Sequence, residues 1–167
     1  VGPSVGRILY KLSPGSDGPT QLHGHTMYLA PPGSYPPLDM TMDRYEPSTT
    51  QLFQETLKSG MVVVDIGAHV GYYTLLAAKH VGSAGKVYAF EPEPGNHSIL
   101  LKNIETNGYD NVVATQIAVS DRKGNLTLYI TALDSGRHSV FHHGLPERGS
   151  ATVETTTLDA FLESEGW

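Results

Sequence analysis

A chain of 167 residues, 39% hydrophobic and 17% charged, is long enough to bury a core and too apolar to be a disordered segment. Its formal charge of -6, without any Lys/Arg-rich stretch, argues against non-specific binding to nucleic acid. The absence of cysteine excludes a disulfide framework, a thiolate zinc site and a thiol nucleophile, and it leaves either redox environment open. No apolar run approaches the roughly 20 residues that span a bilayer, so no membrane span is expected, and a cytoplasmic location is the expectation. The first residue is Val1, and residues 1–12 lack both the basic end and the long apolar stretch of a signal peptide.

Residues 1–44 are rich in Gly, Pro and Ser, and Pro31-Pro32-Gly33 and Pro36-Pro37 interrupt any periodic pattern. They read as an irregular extension in which Ile8-Leu9-Tyr10 and Met27-Tyr28-Leu29 would pair as a small hairpin over the main domain, expected at 45–167. Ser48-Thr49-Thr50-Gln51 has the S-x-x-Q spacing of a capping box, with Leu52, Phe53 and Leu57 as the apolar face that follows and Gly60 as the stop. Met61-Val62-Val63-Val64 lacks polar alternation, the pattern of a strand buried on both faces. The spacing predicts a helix over 72–81, a strand over 86–90, a helix over 96–106 closed by Asn107-Gly108, and a strand over 112–119. Leu75, Leu76, Ile99, Leu100 and Ile104 are core positions. Strand, helix, strand, helix, strand at this spacing implies right-handed crossovers and a parallel sheet in the order 3-2-1, an α/β Rossmann-like fold with helices on both faces. Beyond it, 126–130 and 153–156 are predicted strands, 134–149 a long loop, and Thr157 the cap of a short helix through Leu162.

The chemistry is concentrated in Val64-Asp65-Ile66-Gly67-Ala68-His69-Val70-Gly71, at the carboxyl end of the first parallel strand, where open α/β sheets bind ligands. Gly67 and Gly71 let the backbone turn tightly and approach a ligand. The helix that starts at Tyr72 aims free N–H groups at the loop. Glu91 ends the second strand twenty residues after Gly71, where a carboxylate can accept both hydroxyl hydrogens of a ribose. A nicotinamide site wants G-x-G-x-x-G, and here its second and third glycines fall on His69 and Tyr72. S-adenosylmethionine carries no phosphate, so its loop needs less bare backbone, and Asp65 can orient the loop and attract the cationic amino-acid end. The competing readings are a strand–turn–helix corner with no ligand, a degenerate fold used only for binding, and a nicotinamide-dependent oxidoreductase.

Residues 45–162 resemble the FkbM-type methyltransferase family, on Tyr45-Glu46-Pro47, VVVDIGAHVGYYTLLAAKHVG (62–82), GKVYAFEPEPGNHSILLKNIETNG (85–108), IAVSD (117–121) and TTLDAFL (156–162). The resemblance implies an S-adenosylmethionine-dependent enzyme, with O-methylation of a small-molecule or glycan hydroxyl as the expected reaction. It implies that Gly67, Gly71 and the loop between them, Ala68 and His69 included, hold the methionine part, that Glu91 holds the ribose, and that 118–121, beginning at Ala118, flank the adenine. Glu46 would touch the cofactor's amino group or act as a first-turn acid favouring the helix dipole. Tyr72 and Tyr73 face opposite ways, with Tyr72 expected at the pocket and the other in the core. The family usually shows Asn where His69 stands, so His69 is expected beside the cofactor rather than in catalysis. The family's next element is a strand ending in D-x-E-G, and this sequence ends at Trp167 before it. The chain is therefore expected to be the cofactor-binding half of its domain, with the outer edge of the 61–66 strand capped by its own 126–156 strands, paired with a second copy, or left bare in a chain poorly stable alone.

His138 and His142 have the i, i+4 spacing of helical metal ligands, but Gly136 and Gly144 argue against a helix, and no metal is expected. One of His138, His142 and His143 could serve as a general base; solvated loop positions are the plainer reading, and no catalytic residue is assigned.

Overall fold

The computed structural model describes residues 18–30, 38–42, 44–131, 138–141, 144 and 147–166. A hairpin, β1 (Thr20–Leu22) and β2 (His25–Met27), is followed by two helices, α1 (Leu38–Thr41) and α2 (Pro47–Thr56). The alternating unit is β3 (Val62–Ile66), α3 (Tyr72–Val81), β4 (Lys86–Phe90), α4 (Pro94–Thr106) and β5 (Val112–Thr115). Its three strands form one parallel sheet in the order β3-β4-β5, with Val63 opposite Val87 and Ala89 opposite Ala114. This is the expected 3-2-1 order of a Rossmann-like α/β fold.

Alternation along β4 assigns the helices to faces. Val87 and Ala89 meet α3 and α4, through Ala77, Ala78, Val81 and Leu100. Tyr88 and Phe90 point the other way and pack edge-on against Phe161, at ring separations of 5.4 and 4.7 Å, in α5 (Leu158–Ser164). Two crossovers in the same direction place α3 and α4 on one face, and α5 covers the second. Thr157 caps α5 by accepting from the Ala160 amide at 3.1 Å. Leu75, Leu76, Ile99 and Leu100 are buried and Ile104 is partly so. Among the described residues no helix is long and apolar enough to cross a membrane.

Several expected details differ. α2 begins at Pro47 and its N-cap is Glu46, which makes no side-chain cap bond; Gln51 instead donates to Glu55 at 2.8 Å. Proline at the first helical turn fixes the start earlier than the S-x-x-Q spacing does. Leu52 is exposed, because only Phe53 and Leu57 of the apolar set reach the core. α4 likewise starts two residues early, at Pro94, capped by the Glu93 carboxylate accepting from the Asn96 amide at 2.6 Å. The expected third strand is split: β5 stops at Thr115 and β6 (Ala118–Val119) leaves the parallel sheet to pair with β8 (Glu147–Thr156). β8 also pairs antiparallel with β7 (Gly124–Thr131), so the strand expected at 153–156 begins at Glu147 and lies in a second sheet, β6-β8-β7.

The N-terminal hairpin pairs Thr20–Leu22 with His25–Met27; Ile8, Leu9 and Tyr10 lie outside the described residues. Its buried His25 shares a 2.7 Å hydrogen bond with the Tyr109 hydroxyl. Burial first, then the positive charge of Lys79 and the neighbouring His23 and His80, push the His25 pKa down to about 4, against a backbone hydrogen bond to Leu22. A folded-state value below the unfolded one near 6.5 gives stability that is complete above pH 6.5 and lost as pH falls toward 4. Between pH 7 and pH 5 the fold should lose up to about 2 kcal/mol on this ground, and His25→Gln should flatten the difference in urea titrations. An equal pH dependence in that variant would contradict it.

β3 is half-exposed instead of buried on both faces, because among the described residues it pairs with β4 alone. The 124–131 and 147–156 strands do not cap its outer edge; they form the second sheet. Lys86 N–H donates to Met61 and Gly67 N–H to Phe90, so odd-numbered residues of β3 face β4 and Val62, Val64 and Ile66 direct their backbone groups outward. In a dilute monomeric sample the amides of Val62, Val64 and Ile66 should exchange fast and those of Val63 and Asp65 slowly. Uniform protection along the strand would show that the edge is covered.

Candidate functional site

The turn from β3 into α3 is built from three residues that only a glycine, or a residue tolerant of the left-handed region, can occupy. Gly67, His69 and Gly71 have φ of 81°, 53° and 95°. The Gly67 and Ala68 amides both donate to the Phe90 carbonyl at 2.9 Å, and the Gly71 amide closes a turn onto the Ala68 carbonyl at 2.8 Å. A Cβ at Gly67 would meet nothing within 4 Å, so this part of the loop opens outward; at Gly71 it would stand 2.7 Å from Leu100 Cδ1. Gly71 is the N-cap of α3 and offers no side-chain cap, which leaves the first-turn amides directed at the loop.

Glu91, at the end of β4, locks this loop. The His69 amide donates to its Oε2 at 2.8 Å and the Glu93 amide to its Oε1 at 3.0 Å. The carboxyl is buried, and burial raises its pKa, opposed by the bonds from Glu93, His69 and the Asn96 side chain. A carboxylate offers about four acceptor positions, so the two backbone amides and the Asn96 side chain leave about one for a ligand hydroxyl. Asp65 sits across the loop. Burial raises its pKa, and the Thr74 hydroxyl, donating to Oδ2 at 2.5 Å, opposes that shift while tying the strand end to the first turn of α3.

The other expected site residues are placed unevenly. Glu46, at φ 41°, reaches the start of α3, where its carboxylate accepts from the Tyr73 hydroxyl at 2.8 Å. Burial, and then that bond to Glu46, push the Tyr73 pKa up to about 12, so Tyr73 stays protonated. Of the tyrosine pair it is Tyr72 that packs in the core, its hydroxyl 2.9 Å from His23 Nε2 and 3.1 Å from Thr50 Oγ1, while Tyr73 is partly exposed. Ala118 lies three residues beyond Thr115, whose carbonyl accepts from the Glu91 amide at 3.1 Å. His138 is not helical; its Nδ1 accepts from the Thr131 amide at 3.3 Å, and His142 and His143 lie outside the described residues. Among the described residues no group of three His, Asp or Glu side chains could hold a metal.

Sequence reasoning missed Thr74, Asn96 and Asn103. Their signal was polar side chains at core-facing positions of α3 and α4, where Asn96 and Asn103 alternate with Leu100 on one face. A cleft of about 420 Å³ lies at the opposite end of the sheet, between Lys79, Lys86, Tyr109 and Asp110, away from the loop.

Among solved structures the chain is similar to a protein-L-isoaspartate O-methyltransferase, with 33% identity and a TM-score of 0.40 over 42% of this chain and 23% of that one. It is similar to an S-adenosylmethionine-dependent O-methyltransferase of Thermotoga maritima, with 25% identity and a TM-score of 0.41 over 46% and 31% of the two chains. A third likeness is to TYW2 of M. jannaschii in complex with AdoMet, with 22% identity and a TM-score of 0.46 over 61% and 43%. The chain thus spans less than half the length of each of these proteins. No curated protein matches it. The sequence profile of the methyltransferase FkbM domain matches residues 65–166, from the loop carboxylate to the end of α5. The chain belongs to the FkbM methyltransferase domain family, a family of S-adenosylmethionine-dependent methyltransferases.

Proposed function

We propose that the protein transfers a methyl group from S-adenosylmethionine to a hydroxyl oxygen of a small-molecule or glycan acceptor. The observation that carries this reading is Glu91, buried, held by two backbone amides and the Asn96 side chain beside the glycine turn, with an acceptor position left for a ribose hydroxyl. In the proposed complex the loop from Gly67 through Ala68 and His69 to Gly71 receives the methionine part, and Asp65 and Glu46 offer negative charge to its ammonium. Glu91 accepts from the ribose hydroxyls, and Ala118 borders the adenine. Tyr72 supports the loop from behind, since its hydroxyl is engaged by His23 and Thr50. The proposed division is an extension over 1–44 and the cofactor domain over 45–167, working in the cytoplasm as a monomer or as a pair joined at the β3 edge.

Attack on a sulfonium methyl expels a neutral thioether that needs no acid. Catalysis therefore reduces to in-line alignment and to removal of the acceptor's proton. Incubation with methyl-labelled cofactor and a panel of hydroxylated small molecules and glycans should place label in O-methyl ethers. Label found only on nitrogen, or on RNA, would overturn the acceptor class.

His69 adopts a left-handed conformation that Asn tolerates well. His69→Asn should therefore keep most cofactor affinity and turnover. A collapse of turnover with affinity intact would make His69 a catalytic base.

A further inference from the structure

Asn96, Leu100, Asn103 and Asn107 are spaced four, three and four residues apart, which sets them on one face of α4. Asn103 is completely buried. Its Oδ1 accepts from the Tyr28 amide at 2.8 Å, and its Nδ2 donates both to the Tyr28 carbonyl at 2.9 Å and to the Val70 carbonyl at 2.7 Å. One turn later Asn107 repeats the first half of this pattern on Thr26, accepting from its amide at 3.0 Å and donating to its carbonyl at 2.9 Å. The two amides stand where a further strand would stand beside β2. The geometry suits it, since four helical residues rise about 6 Å and two strand residues about 6.6 Å.

An Asn side chain has two N–H donors, and Asn103 spends one on the hairpin and one on the loop. The same buried amide therefore fixes Tyr28 and the Val70 carbonyl, inside the 67–71 turn. Two further contacts join hairpin to helices: Lys102 Nζ lies 3.3 Å from the centre of the Tyr28 ring, and His23 bonds Tyr72. We infer that Asn103 is a positioning residue for the cofactor loop, and that the β1–β2 hairpin acts through it on cofactor affinity. This rests on the reading of the loop as the S-adenosylmethionine site.

Asn111 supplies the control. Its Nδ2 also makes two backbone bonds, to Ala78 and Gly82 at 2.9 Å each, but at the far end of α3 from the loop. Wild type, Asn103→Ala and Asn111→Ala would each be titrated with S-adenosylhomocysteine well below their own unfolding midpoints, and amide exchange at Ala68, His69 and Gly71 followed without ligand. Asn103→Ala should bind about tenfold more weakly and exchange faster in the loop, while Asn111→Ala, though destabilised, stays within about twofold on both readouts. Equal losses in the two variants, or none in Asn103→Ala, would overturn the proposal. Should Asn103→Ala fail to fold, linkage gives a test on the wild type alone: ligand must slow exchange at Thr26 and Tyr28 more than in the β7–β8 hairpin. No such excess would overturn it equally. A wild type that binds no ligand, with loop exchange still faster in Asn103→Ala, would reject the cofactor reading and show the brace by itself.

Discussion

Replacing Glu91 with Ala is expected to weaken S-adenosylhomocysteine binding by about 1.5–3 kcal/mol, the range for losing charge-assisted hydrogen bonds. Two effects add. The ribose loses its acceptor, and the His69 and Glu93 amides lose theirs, so the turn that receives the methionine part relaxes. Glu91→Gln is intermediate, because its amide group keeps one acceptor oxygen and therefore one of the two backbone bonds, and sets its NH2 against the other backbone amide and a ribose hydroxyl. The Gln variant should recover part of the stability lost in Glu91→Ala and little of the affinity. Unchanged affinity in Glu91→Ala would remove Glu91 from the site altogether.

The largest expected stability effect is at Gly85, between α3 and β4. A Cβ there would stand 2.5 Å from the Met61 carbonyl oxygen and 2.5 Å from Val81 Cβ. The Met61 carbonyl accepts from the Lys86 amide at 3.1 Å, the first rung between β3 and β4, so backing away from the new methyl opens the sheet at its start. Val81 is fully buried and has nowhere to go. Gly85→Ala should cost about 2–3 kcal/mol, as overpacking against fixed atoms does, read as a lowered urea midpoint at constant slope. A loss below about 0.5 kcal/mol would show that the turn yields cheaply. Because the contact is remote from the loop, cofactor affinity of the folded variant should be unchanged.

The parallel unit was legible in the sequence because its signals are local and agree: an unbroken apolar run at Met61–Val64, β-branched from Val62 on, Gly82 closing α3, Asn107-Gly108 closing α4. The site's frame was legible for the same reason, since glycines and a strand-end carboxylate have few other uses in that order. What escaped was long-range. Nothing near Ala118 says that it leaves β5's sheet to pair with Thr155. Asn103 was invisible for a related reason: its three partners, the amide and carbonyl of Tyr28 and the carbonyl of Val70, are backbone atoms 75 and 33 residues away. The tyrosine pair shows how fine the margin is. The helix period separates Tyr72 from Tyr73, but the hairpin residue His23 decides which of them is core.

A calorimetric titration of the wild-type chain with S-adenosylhomocysteine and, separately, with NAD tests the central claim most directly. The glycine turn with His69 and Tyr72 in place of a second and third glycine, closed over Glu91, predicts one-to-one binding of S-adenosylhomocysteine and no measurable heat with NAD. Saturable binding of NAD, or an S-adenosylhomocysteine affinity that survives Glu91→Ala unchanged, would contradict it.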